Sequence, residues 1–262
     1  MNAMKLGTRL AMSALVAVVC SSLVGVPAGA KSVSTAPVIT PPAPGAPGNV
    51  LRSDGRIDQF QVAATPGELP HLALHVWYRR QLAPGGAYGA WTQVSGLSVN
   101  SRTPFVVAAE DGAGLISAFV DVYMGPNSRI SQTTVDGPWT VESFDAVSPT
   151  WYGIPAVLRL GDGRLAYGHT TQHVAGHEVG VWYATQSTPG GSWGGWEYLG
   201  TGPFTVAVTN PYNLTQFGDG TVGMSAAMWG GPTCVAQVRQ AAVGGPWVWS
   251  VDPTSPPACP VR

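Results

Sequence analysis

One stretch of this chain repeats another. VLRSDGRIDQF at 50–60 returns as VLRLGDGRLAY at 157–167, and HVWYRRQLAPGGAYGAW at 75–91 returns as GVWYATQSTPGGSWGGW at 180–196. Weaker copies lie between and after these two. A Gln recurs at Gln81, Gln132, Gln186 and Gln240, at intervals of 51, 54 and 54, and seven residues beyond each stands an aromatic: Tyr88, Trp139, Trp193 and Trp247. Asp-Gly recurs at Asp54, Asp111, Asp162 and Asp219, at intervals of 57, 51 and 57. An internal period of this size constrains the fold before any other feature, because each repeat must be one supersecondary unit that its neighbours help to bury.

Within the clearest copy, β-rich runs alternate with turn chemistry: Ala156–Leu160, Gly161-Asp162-Gly163, Arg164–Thr170, a polar loop, Val179–Gln186, Pro189-Gly190-Gly191 and Trp193–Leu199. That reads as four antiparallel strands per repeat. A four-stranded sheet cannot bury both faces alone, and radial stacking of such sheets gives a β-propeller. The expected fold is therefore all-β, a propeller of four blades with four antiparallel strands each, over repeats at about 49–96, 97–147, 148–200 and 201–252. A linear stack and a five-bladed ring are the competing arrangements. Composition agrees: 34 Gly and 23 Pro among 262 residues break helices, and ten Trp and eight Tyr argue against a disordered chain. The four Asp-Gly pairs are expected to be hairpin turns without chemistry, because such a turn needs positive φ. The four Gln side chains are expected to hold a backbone group in register, and the aromatics that follow them to pack between blades.

The ends carry different signals. Lys5 and Arg9, an apolar stretch from Leu10 to Val26 and Ala28-Gly29-Ala30 read as a secretory signal peptide over residues 1–30, so the expected location is secreted and extracellular. Residues 31–48 form a Pro-rich linker. The propeller follows over 49–252, with a tail at 253–262. In an oxidising compartment Cys234 and Cys259 are expected to pair and tie that tail down, stabilising by about 3 kcal/mol. The formal charge of −1 leaves no basic surface for nucleic acid, and no second apolar stretch approaches the length of a membrane span.

The motif sequence D-G-R-L, V-W-Y-x-x-Q and P-G-G-x-W-x-x-W-x-x-L-G resembles the blade repeat of the fucose-binding bacterial lectins of the Photorhabdus type, a family of secreted β-propellers, and more loosely the fungal fucose lectins. The match is good over 157–200 and 50–96 and weak over 104–147 and 213–252. The resemblance implies sugar sites in pockets between neighbouring blades, built from Trp faces and polar side chains. Repeats two and four depart from it, with Glu142 and Ser250 where Trp91 and Trp196 stand in the others.

In a four-stranded antiparallel blade, the Asp-Gly and Pro-Gly-Gly turns share one end, and the longer loops lie at the other, where binding usually sits. Those loops are expected to hold Asn100, Arg102, Trp151, Tyr152, Tyr212, His173 and Trp229. Flat aromatics beside polar donors and acceptors suit a glycan, which has apolar C–H faces and outward hydroxyls. Packing between sheets is the competing role for each aromatic. The expectation is non-catalytic binding of neutral glycans of fucosylated or cell-wall type, without a cofactor or metal, by a chain that could close as a homodimer. His169, His173 and His177 are four apart, but on a strand and loop that spacing does not align them for a metal. Ser225 lacks a nucleophile-elbow context. Two alternatives stand beside the lectin. One is a glycoside hydrolase or polysaccharide lyase using carboxylates among Glu68, Asp121, Asp145 and Glu178. The other is a protein-interaction propeller.

Overall fold

The computed structural model describes residues 48–64, 74–94, 106–120, 127–144, 151–152, 155–172, 180–202, 208–228 and 235–251, and everything below concerns these. They form seventeen strands. The first sheet is β1 (Gly48–Leu51), β2 (Ile57–Ala64), β3 (Leu74–Arg80) and β4 (Thr92–Gln93). The second is β5 (Val106–Glu110), β6 (Ile116–Val120), β7 (Ser128–Gln132) and β8 (Trp139–Ser143). A short β9 (Trp151–Tyr152) precedes the third: β10 (Ala156–Arg159), β11 (Leu165–Gln172), β12 (Gly180–Thr185) and β13 (Glu197–Gly200). The fourth is β14 (Val208–Gln216), β15 (Val222–Met228), β16 (Val235–Gln240) and β17 (Trp247–Val251). Each sheet runs in sequence order and is antiparallel throughout; β9 adds to the third by pairing with β11. The first strands pack in series, β1 on β5, β5 on β10 and β10 on β14. This is the expected β-propeller of four blades.

The conserved geometry of each blade starts from its Gln. The side-chain Oε1 accepts the backbone N–H that opens the second strand: Gln81 from Ile57 at 2.9 Å, Gln132 from Ile116 at 3.3 Å, Gln186 from Leu165 at 2.8 Å and Gln240 from Val222 at 3.1 Å. That group lies where the hairpin turn ends and the ladder begins, so without the amide it would be buried and unpaired. Two positive-φ turns flank it. The first uses Gly55, Gly114, Gly163 and Gly220; the second uses Gly85, Asp136, Gly190 and Gly244.

The Asp-Gly reading holds in three blades and fails in the second. Asp54, Asp162 and Asp219 each accept the N–H two residues on, at 3.0, 3.1 and 3.0 Å, which is the turn chemistry expected of them. In the second blade the register places Ala113-Gly114 at that position, and Asp111 lies two residues before Ala113. Buried there, Asp111 uses Oδ1 to accept from Ala113 and Leu115 and Oδ2 to accept from Gln186 Nε2 at 3.2 Å and Gly190 N at 2.8 Å. It is a latch between the second and third blades. Beside it Gly112 N donates to Gly163 O at 2.6 Å, and a Cβ on Gly112 would stand 2.8 Å from the Gly163 Cα.

Among the described residues, three cores lie between blades. Phe60, Val62 and Val76 meet Val106, Ile116 and Ile130; Phe119 and Phe144 meet Tyr167; Val181 and Tyr183 meet Leu214, Met224 and Val238. The repeated aromatic packs back on the preceding blade each time. Trp139 lies 5.5 Å from Phe60 and 5.1 Å from Tyr78, Trp193 4.9 Å from Phe144, and Trp247 4.8 Å from Tyr183. Gln186→Met should destabilise the protein by about 1–3 kcal/mol, because it leaves the Leu165 N–H buried without its acceptor and takes a donor from Asp111. Chemical denaturation checks this; an unchanged midpoint would contradict the assignment.

Candidate functional site

Alternation along a strand gives every blade one face toward its predecessor and one toward its successor. On the predecessor face, register aligns Ala108, Val157 and Leu214 on the first strand, Ala118, Tyr167 and Met224 on the second, and Ile130, Ala184 and Val238 on the third. All of these are apolar or aromatic. The first blade carries Asn49, Gln59 and Arg79 at the same three positions, followed by Tyr88. No described core, ring contact or hydrogen bond joins β14–β17 to β1–β4, so this face has no blade packed on it among the described residues.

The polar residues of this end face form a connected row. Gln59 Nε2 donates to Asn49 Oδ1 at 3.0 Å, and Arg79 Nε donates to Gln59 Oε1 at 2.7 Å. The Arg79 guanidinium lies 4.4 Å from the centre of the Tyr88 ring and 4.5 Å from that of Trp91. Asn49 is exposed, and Gln59, Arg79, Tyr88 and Trp91 are half-buried. The result is a flat surface of amides running into an aromatic pair with a cation held between.

The opposite end face, on the fourth blade, is also polar. Where Phe60 and Phe119 stand in the first two blades it has Ser225, and where Tyr78 and Tyr183 stand in the first and third it has Gln237. A shallow pocket of about 130 Å³ is lined there by Thr215, Phe217, Ser225, Gln237 and Arg239. Arg239 covers the Phe217 ring at 3.8 Å, donates to Thr221 Oγ1 at 2.9 Å and pairs with Asp219, so its charge is neutralised inside its own blade.

At the turn end, a charged cluster joins the first two blades. Arg52, only 5% exposed, reaches Glu110 at 3.2 Å, Asp58 at 3.4 Å and Asp136 at 2.6 Å. Arg80 also pairs with Asp58 and Asp136, and Arg159 approaches Glu110 at 3.6 Å. Burial pushes the Asp58 carboxyl above the usual carboxylate range against the pull of Arg80 and Arg52. Burial also pushes up Asp136, but hydrogen bonds from Arg52 and Arg80 outweigh it and leave that carboxyl lowered. Asp136 has φ 58, the one non-glycine here with positive φ; its ion pairs hold it where the other blades use Gly. These carboxylates are engaged by arginines and serve as inter-blade fastening.

Trp151 and Tyr152, expected on a loop, form β9 and pair with Gln172 and Thr171. The cause is β11, which runs four residues, His169–Gln172, past its pairing with β10 and leaves an edge that β9 takes up. Tyr212 lies in β14 at a register shift between Pro211 and Asn213, so this segment is strand rather than loop. His173, Asn100, Arg102, Trp229, Cys234 and Cys259 lie outside the described residues, as do Glu68, Asp121, Asp145 and Glu178. His169 is on β11, with its ring 5.0 Å from Trp196 and 5.6 Å from Tyr167. Complete burial lowers its pKa to about 3. A histidine held neutral in the fold stabilises least where the unfolded chain is protonated. Stability should fall as pH drops through about 6.5 toward 3, by about 1.5 kcal/mol between pH 6.5 and 5. Denaturation of the parent and His169→Asn at both pH values checks this; equal slopes would contradict it.

No protein-family model matches the chain, and no curated protein matches it. Among solved structures, a protein of unknown function from Dyadobacter fermentans is similar with a TM-score of 0.56 at 11% identity, over 78% of this chain and 68% of that one. An α-L-arabinanase from Penicillium chrysogenum reaches 0.47 at 13% identity, over 82% and 65%, and an endo-arabinase from Bacteroides thetaiotaomicron 0.46 at 13%, over 79% of each. At such identities the similarity is one of fold.

Proposed function

We propose that this protein is an exported carbohydrate-binding propeller, and that the end face of the first blade takes part in binding. The observation that carries the reading is the exchange of Ala, Ile and Val positions for Asn49, Gln59 and Arg79 beside Tyr88 and Trp91. Amides arranged beside half-buried aromatic rings match the alternation of hydroxyls and C–H faces on a sugar. Trp151 and Tyr152 on β9, Tyr212 on β14, and Trp229, His173, Asn100 and Arg102 are proposed as further sugar-binding residues. Fucosylated glycans, suggested by the lectin-like repeat, belong to the panel that tests it.

Hydrolysis of a bound glycan is the rival, and it is the reaction that names the two arabinanases. Among the described carboxylates most are already engaged, Glu197 is exposed, and Glu68, Asp121, Asp145 and Glu178 lie outside the described residues. Glu110, Asp58 and Asp136 are paired with arginines, Asp54, Asp162 and Asp219 sit in turns, and Asp111 is a latch. Titration of Trp fluorescence with fucosylated, galactosylated, arabinan and other wall oligosaccharides should give saturable binding in the micromolar to millimolar range, without new reducing ends. Release of reducing sugar would replace this reading with the hydrolase, and no binding across the panel would overturn both.

A further inference from the structure

Resting on the carbohydrate reading, we infer that the first-blade end face is a receptor for a carboxylate-bearing sugar, with Arg79 as the group that reads the carboxylate. Arg79 is held in place from two sides. Its guanidinium sits against two rings, Tyr88 and Trp91, and its Nε is fixed on Gln59 Oε1, which belongs to an amide anchored in turn by Asn49. A flexible arginine is thereby confined to one plane across three strands. Ordering that side chain in advance removes an entropy cost that a ligand would otherwise meet.

The same geometry leaves the working end free. With Nε occupied, Nη1 and Nη2 have no protein partner among the described residues. Two parallel N–H groups are the fork that matches a carboxylate in bidentate fashion, and stacking on aromatic rings is compatible with it. The other arginines on these blades differ. Arg56, Arg164 and Arg239 close onto Asp54, Asp162 and Asp219, Arg52 and Arg80 lie in the carboxylate cluster, and Arg129 pairs with Glu142. Arg79 is the described cation on an end face whose charge no described carboxylate compensates. The face around it is neutral and amide-rich, so an acidic sugar would find one charge partner, hydroxyl partners in Gln59 and Asn49, and ring surface in Trp91.

The site requires three things of its ligand: a carboxylate, a hydrogen-bonding ring and an apolar face. Uronic acid residues of acidic polysaccharides and sialic acid both meet them. Trigalacturonate, its methyl ester and sialyllactose, titrated against the purified protein by calorimetry in low and moderate salt, separate the possibilities. Binding of trigalacturonate or sialyllactose identifies the source. The proposal expects esterification to weaken trigalacturonate by about tenfold or more, and Arg79→Gln and Arg79→Lys each to do the same, Lys keeping the charge but losing the fork. Neutral sugars bound at other surfaces should be unaffected, and thermal unfolding of both variants should match the parent, since the side chain lies on an open face. Equal affinity for acid and ester, or full binding by Arg79→Gln, would overturn the acidic-sugar site and leave the carbohydrate reading standing. Absence of binding to acidic and neutral sugars alike would overturn both.

Discussion

Each blade of this protein is completed by the next. A four-stranded sheet has two faces to cover, and here the aromatic seven residues beyond the repeated Gln lies back on the preceding sheet, so that Trp139, Trp193 and Trp247 close three interfaces in series. The apolar residues aligned with them follow from that arrangement. So does their replacement at the ends of the series, where Asn49, Gln59 and Arg79 on one side and Thr215, Ser225 and Gln237 on the other stand at positions that are largely buried and apolar elsewhere. Terminal repeats of stacked architectures keep a polar outer face for the same reason: nothing dry is there to cover it.

A second set of contacts acts at the turn end and also reaches backward. The last residue of each first strand is bound to the preceding blade: Glu110 takes Arg52, Arg159 approaches Glu110, and Gln216 Oε1 accepts from Gly161 N at 2.7 Å. The first blade has no predecessor, and its counterpart is Leu51, which is 72% exposed. Apolar packing and polar fastening therefore tell the same story by independent chemistry. Buried ion pairs of the Arg52 kind gain little net stability over apolar packing, yet are costly to break, so their clearer effect is to fix how the first two blades sit together.

Much of this was legible in the sequence, because a repeat exposes its own rules. The Gln and the aromatic after it are recognisable at fixed offsets; the role expected of the Gln is found in all four blades, and that of the aromatic in three, since Tyr88 instead lies against Arg79 of its own blade. Asp111 departs from the turn role for a physical reason: it sits beside a Gly like the turn residues, but two positions out of register, and the uneven Asp intervals of 57, 51 and 57 against 51, 54 and 54 for Gln are the signal of it. The end face was missed differently. Its residues are ordinary one at a time, and only alignment of Arg79 with Ile130, Ala184 and Val238 shows that a packing position has become polar. That alignment needs strand register, which the weak second and fourth repeats did not give. Loop positions such as Trp151 and Tyr212 lacked any periodic constraint, so their strand pairing could not be read in advance.

The end face of the first blade has no described blade on it, whereas the equivalent surfaces of later blades are covered. Asn49 and Leu214 occupy the same register position in the first and fourth blades, the one exposed and the other 7% exposed. Maleimide labelling of Asn49→Cys and Leu214→Cys under native conditions, corrected for labelling of the parent chain, compares them directly. Reaction of Asn49→Cys at a rate near that of a free thiol, with Leu214→Cys protected until unfolding, is the predicted result. Equal protection of both would show a blade or partner covering the first face and contradict the account.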